Sequence, residues 1–142
     1  MKVCRHLSEN NRLTLQYYAQ QSVITDPGTY SHLFDNLPDD LPNLVETVQG
    51  LLVSLPWEDA YGLDSSRKRQ REIYLRTVPE MLKRILELDP SPLTTERPPE
   101  RRKVSLCRDF AVLLVSMLRY RDVPARVRVG FAGYYRSETP RY

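Results

Sequence analysis

The feature that most constrains this chain lies at residues 107–121. There Phe110, Ala111, Val112, Leu113, Leu114, Val115, Met117 and Leu118 leave little polar face. A helix that is apolar on nearly every side is stable only when other elements cover it, so the rest of the chain must wrap this segment. The chain is long enough to do so. Its 142 residues suit one domain, and a domain of this size buries about two-thirds of the surface its unfolded form exposes.

Two upstream segments can supply the wrapping. Leu41, Leu44, Val45, Val48, Leu51 and Leu52 repeat at the i, i+3, i+4, i+7 spacing, behind Asp39 or Asp40 as cap and Pro42 at an early position. This pattern predicts an amphipathic core helix that Pro56 closes. Thr77-Val78-Pro79-Glu80 has the form of a capping box, and it opens a helix with Val78, Met81, Leu82, Ile85 and Leu86 on its apolar face. Three further segments read as helical: 8–24 with Ser8 as cap and a stripe of Leu13, Tyr17, Gln20 and Ile24, a short turn at 30–34, and 64–76. Thr25-Asp26-Pro27-Gly28 should end the first of them, and 57–63 reads as an aromatic loop.

Pro90, Pro92, Pro98 and Pro99 make the stretch before the apolar helix an irregular connector and the expected site of proteolytic nicking. After Pro124, Ala125-Arg126-Val127-Arg128-Val129-Gly130-Phe131 alternates strictly and predicts a half-buried strand, continued by Gly133-Tyr134-Tyr135 past a bulge. The expected class is therefore α+β in a single domain. Residues 1–89 form a helical subregion, 90–103 a connector, and 104–142 the buried helix followed by one or two strands of an incomplete antiparallel sheet. A lone strand cannot satisfy its own backbone groups, so partner strands are expected from a second copy or another chain.

Composition excludes several classes. Cys4 and Cys107 are the only cysteines, too few for a disulfide framework or a four-thiolate metal site. Cys4 and His6 offer two ligands where a metal needs more, and no phosphate-loop, dinucleotide or zinc-protease motif occurs. No metal or cofactor is expected, and Glu58-Asp59 and Asp39-Asp40 read as structural. No apolar run approaches the roughly 18 residues of a membrane span, and residues 1–6 lack a signal-peptide core, so a cytoplasmic setting is expected. Charge is uneven: residues 1–96 hold 10 basic and 14 acidic groups, and residues 97–142 hold 11 and 4. A solvated arginine-rich face, or one meeting an acidic partner, accounts for this better than nucleic-acid or phosphate binding, for which no motif is present.

Cys107 stands at the start of the apolar helix. There a sulfur meets free N–H groups and the positive end of the helix dipole, a setting in which cysteines become nucleophiles. From position alone, a small apolar role for Cys107 is an equal alternative.

Cys107-Arg108-Asp109-Phe110-Ala111-Val112-Leu113-Leu114, then Met117-Leu118-Arg119, Val123-Pro124-Ala125-Arg126 and Gly130-Phe131 together resemble the core of the transglutaminase-like superfamily. Leu15-Gln16-Tyr17-Tyr18-Ala19, Ile24-Thr25-Asp26-Pro27, Val48-Gln49-Gly50-Leu51-Leu52 and Leu86-Glu87-Leu88-Asp89 resemble a bacterial branch of it. The resemblance implies a cysteine acyltransferase or amide hydrolase that works through a Cys107 thioester on a protein or peptide substrate. It also implies a His and an Asp after the nucleophile. Here both histidines, His6 and His32, precede Cys107, so the chain corresponds to the N-terminal part of that fold and should not turn over alone. Ser105-Leu106 stand where the branch has Gly-Asn, and Asp122 stands where it has Gly. Two other expectations remain open: a non-catalytic module that pairs through an exposed strand, and phosphate or nucleic-acid binding by the basic end.

Overall fold

A computed structural model describes residues 8–57, 59–63 and 66–130. The elements are α1 (Glu9–Ala19), α2 (Leu41–Leu51), β1 (Leu52–Ser54), α3 (Arg67–Gln70), α4 (Val78–Leu88), β2 (Lys103–Ser105) and α5 (Cys107–Tyr120), joined by 3-10 turns at Gly28–Phe34, Leu55–Trp57, Asp59–Tyr61, Arg71–Tyr74 and Pro99–Arg101. The class is α+β and mostly helical, as the sequence predicts. None of the helices among the described residues is long and apolar enough to cross a membrane.

The apolar helix is central. Val112, Leu113 and Met117 of α5 join Leu44, Val48 and Leu51 of α2 and Val78, Met81, Leu82 and Ile85 of α4 in one core, closed by Phe34, Leu37 and Leu93. The caps follow the sequence. Ser8 accepts from the Asn11 N–H and Asp40 from the Asn43 N–H at 3.0 Å. At α4 the Thr77 N–H and hydroxyl both donate to Glu80, which holds the Glu80 carboxyl below its ordinary range.

The sheet departs from expectation. It has two strands, and they are parallel: Leu52 pairs with Lys103, Val53 with Val104 and Ser54 with Ser105. Leu52 leaves the helix register and opens β1, so α2 ends at Leu51 and not at Pro56. Over 125–130 the alternating segment forms no strand. Alternation alone makes a strand only where a neighbour completes its hydrogen bonds, and here the first two residues of the segment lie against α1 instead. The Ala125 N–H donates to the Tyr18 carbonyl at 3.1 Å, and the Arg126 guanidinium sits 5.3 Å from the Tyr18 ring centroid. Phe131 and the expected continuation at Gly133-Tyr134-Tyr135 lie outside the described residues.

Two more expectations change. No residue of α1 is buried, and the expected stripe is open, with Leu13, Tyr17 and Ile24 all exposed. The segment at 64–76 is not one helix but the short α3 followed by a 3-10 turn.

The proline-rich connector is irregular but not loose. Arg97 is 1% exposed, and its guanidinium donates to the carbonyls of Asp89, Ser91, Thr95 and Pro92 at 2.7–3.4 Å. Burial lowers its pKa, and Asp89 opposes the shift. The Arg97 N–H reaches the Gly50 carbonyl. A Cβ on Gly50 would stand 3.4 Å from the Glu96 backbone, so the connector rests directly on α2. Leu93 and Lys103 are buried as well, so the connector is pinned at several points, while 94–96 and 100–101 stay exposed.

Candidate functional site

The parallel pair fixes the place of Cys107. β2 ends at Ser105, Leu106 turns the chain, and Cys107 is the first residue of α5. Its thiol is free and exposed, so it is not the buried apolar residue that position alone allowed. It stands beyond the carboxyl end of a parallel strand and at a helix N-terminus, the side on which open α/β sheets place ligands.

The junction that carries Cys107 is tied by charged groups. Leu106 has no side-chain acceptor to cap α5. Asp109, three residues on, reaches back and accepts from the Leu106 N–H at 3.1 Å. Asp109 is 1% exposed and also pairs with Arg108 at 2.8 Å and with Lys103 at 3.5 Å. Arg108 continues to the Ile73 carbonyl at 3.1 Å. Lys103 is fully buried, and its ammonium also donates to the Val104 carbonyl and to Ser105 Oγ. Desolvation pushes the Lys103 pKa down, against the pull of Asp109. Glu72 accepts from the Val104 N–H at 2.7 Å and pairs with Arg84 at 2.8 Å. Arg69 Nε lies 2.6 Å from Glu72 Oε1, at an angle that makes it an ion pair and not a hydrogen bond.

Sequence reasoning missed Glu72, Lys103 and Asp109. A signal existed for Asp109, an acidic residue at the third position of a helix that lacks a capping side chain. None existed for Lys103, which reads in sequence as one more cation of a basic connector.

A cleft of about 840 Å³ opens beside this junction. It is lined by Asn43, Glu46, Thr47 and Gly50 of α2, by all of β1, by Leu93, Glu96 and Arg102 of the connector, and by Phe110 of α5. Cys107 lies one turn before Phe110 on the same side of α5, outside the lining itself.

Among the described residues no histidine stands near Cys107. His32 belongs to the turn at Gly28–Phe34, which meets the far end of α5 through the Phe34–Tyr120 ring contact at 5.5 Å and the Tyr120 hydroxyl on Asp35. α5 has 14 residues, so about 20 Å of helix separates that end from Cys107. Cys4 and His6 lie outside the described residues. Among the described residues no group of three or more His, Cys, Asp or Glu could hold a metal.

Among its described residues the basic end is largely occupied within the fold. Arg97 and Arg119 donate to backbone carbonyls. Arg101, Arg102, Lys103, Arg108 and Arg121 pair with Asp89, Glu96, Asp109 and Asp39. Asp122 stands in the left-handed region with φ 57°. The N–H groups of Asp122 and Val123 bond the Arg119 and Leu118 carbonyls, which is the Schellman closure of α5.

Comparison with protein families, with curated proteins and with solved structures finds no match to this chain.

Proposed function

We propose that this chain carries the nucleophile of a cysteine-dependent acyl-transfer module of the transglutaminase-like kind, acting on an amide or ester of a protein or peptide. The observation that supports this reading is one exposed thiol, Cys107, on a junction otherwise held by buried charges. In the reaction the Cys107 thiolate attacks a carbonyl carbon, the leaving amine or alkoxide takes up a proton, and a thioester forms that water or an amine then resolves. The free N–H groups in the first turn of α5 are available to the oxyanion. No side chain among the described residues hydrogen-bonds the thiol, so the proton-transfer partner must come from elsewhere, and complete turnover depends on it.

Acyl transfer from p-nitrophenyl acetate tests this. The thiolate displaces p-nitrophenolate and retains the acetyl group as a thioester. Intact-mass analysis is expected to find one acetyl group on Cys107, removable by hydroxylamine and absent in Cys107→Ala. It should form at least about tenfold faster in the folded chain than in urea at the same pH. Equal rates folded and unfolded would leave Cys107 an ordinary thiol and end the reading.

The reading of a non-catalytic strand-pairing module has its own support. Val127 and Val129 are 38% and 100% exposed on a segment with no strand partner among the described residues.

A further inference from the structure

Positive charge without a partner is concentrated where the overall count does not place it. The arginines of 97–121 are bound to carbonyls and carboxylates within the fold. Residues 67–76, in the half with the acidic excess, hold five cations and one carboxylate. α3 runs straight into the 3-10 turn at Arg71–Tyr74, so residues three and four apart share a face. Arg69 and Glu72 take the inner face. Glu72 is buried and already meets the Val104 N–H, Arg84 and Arg69, and the Arg69 guanidinium donates to the Glu100 and Arg102 carbonyls. Arg67, Lys68, Arg71 and Tyr74 take the outer face. All four are exposed, Tyr74 by 68%. Among the described residues none of the three cations has a side-chain partner.

This face ends at the thiol's junction. Arg108, next to Cys107, donates to the Ile73 carbonyl at 3.1 Å. Arg108 is 38% exposed and held by Asp109. A row of positive charge therefore runs from α3 to the residue beside the exposed thiol.

An acidic chain segment fits such a face. A tyrosine among arginines is the composition of protein-binding hot spots, and unpaired cations steer an anionic partner toward them. Single-stranded nucleic acid stacks successive bases on successive rings, whereas this face carries one ring on about 12 Å of helix.

We infer that Arg67, Lys68, Arg71 and Tyr74 form the docking face for an acidic segment of the peptide that donates its acyl group to Cys107. On the reading of Cys107 as an acyl-transfer nucleophile, on which this assignment rests, the preferred donor carries carboxylate side chains near the reacting carbonyl and an apolar residue for Tyr74.

Docking is measured on the Cys107→Ala chain, where no thioester forms, by fluorescence anisotropy of a labelled glutamate peptide with a central phenylalanine and of its lysine counterpart. The glutamate peptide should bind at least about fivefold tighter at low salt and lose that preference in about 0.5 M salt. Lys68→Glu with Arg71→Glu should reverse the preference. Arg12→Glu with Arg128→Glu, the same charge change at exposed positions elsewhere, should leave it in place. Tyr74→Ala should weaken the glutamate peptide about threefold or more. Acylation is measured on the chain with Cys107 intact, by intact mass, with the p-nitrophenyl esters of acetyl-Glu-Glu-Gly and acetyl-Lys-Lys-Gly. In each case the thiolate displaces p-nitrophenolate and keeps the acyl group as a thioester. The acidic ester should react about fivefold faster, and the Lys68/Arg71 reversal should invert the ratio. Equal binding of the two peptides overturns the docking face, as does a preference that the Arg12/Arg128 pair also removes. Oligothymidylate bound more tightly than the glutamate peptide overturns it in favour of nucleic acid. Selective docking with equal acylation by the two esters overturns the link to the Cys107 donor while leaving acetyl transfer to Cys107 standing. Failure of p-nitrophenyl acetate to acylate the folded chain faster than the unfolded one removes the donor assignment, and anisotropy then decides the docking face alone.

Discussion

Residues 89–105 and 123–130 both carry arginines, both contain proline, and neither is mainly regular structure, yet their arginines sit in opposite settings. In the first, Arg97 disappears into the fold with its guanidinium on four carbonyls, and Lys103 and Ser105 are fully buried. In the second, Arg126 lies across a half-buried tyrosine, and Arg128 and Val129 face solvent. Composition does not separate them. The difference is whether backbone carbonyls converge around the guanidinium. A loop that wraps an arginine gains an interior, whereas one that passes a surface aromatic does not.

The sharpest test of this comparison is Arg97→Leu, which leaves four carbonyls without their shared donor. It should destabilise the chain by about 3 kcal/mol in urea unfolding, against less than about 0.5 kcal/mol for Arg126→Leu. Trypsin should cut the wild type first after Arg126 or Arg128, and the Arg97→Leu chain also after Arg101 or Arg102. Equal losses from the two substitutions would erase the distinction.

Lys103 gives a smaller effect with a characteristic pH dependence. Lys103→Met removes one partner of Asp109 but leaves Arg108 and the Leu106 N–H in place, so a loss of about 2 kcal/mol is expected at neutral pH. Burial holds the folded ammonium's pKa below the ordinary 10.5. Between that lowered value and 10.5 the unfolded chain binds more protons than the folded one, so this site's contribution to stability rises with pH across that window. Urea unfolding from pH 7 to 10.5 should show the rise in the wild type and its absence in Lys103→Met.

The smallest effect is at Asp122, where the arginine-rich tail leaves α5. Asp122→Gly relieves a left-handed backbone at φ 57° and should stabilise by about 0.5–1 kcal/mol. Thermal unfolding would register a rise of a few degrees. No change would mean that the aspartate side chain already compensates the strain.

The same contrast explains what the sequence made legible. The starts of helices with a strong stripe and a cap could be read almost to the residue, as with α2 from its Asp40 cap and α4 from Thr77 and Glu80. The position of Cys107 at the head of α5 could be read because the proline-rich connector gives way there to an apolar run. β1 could not, because Leu52 and Val53 extend the apolar run of α2 and three residues are too few to show a period of two. β2 was hidden among the cations of the connector. The strand that the sequence advertised best, 125–131, lacks a neighbour over its described part. Pairing is a property of two segments, and a pattern within one segment cannot report it. The Asp109–Lys103 pair escaped for a related reason: its meaning lies in burial, which fold and not spacing confers.

The parallel register also sets an order of assembly. Leu52 and Lys103 are partners but stand 51 positions apart, so bringing them together costs about 3.5 kcal/mol of chain entropy before any bond forms. Three backbone pairs cannot offset that alone. The intervening chain must first shorten the path, by α4 docking on α2 and by Arg97 gathering the connector. The turn at Leu106 and the head of α5 follow directly on β2, so on this route the position of residue 107 is expected to be set only after α4 and the connector are in place.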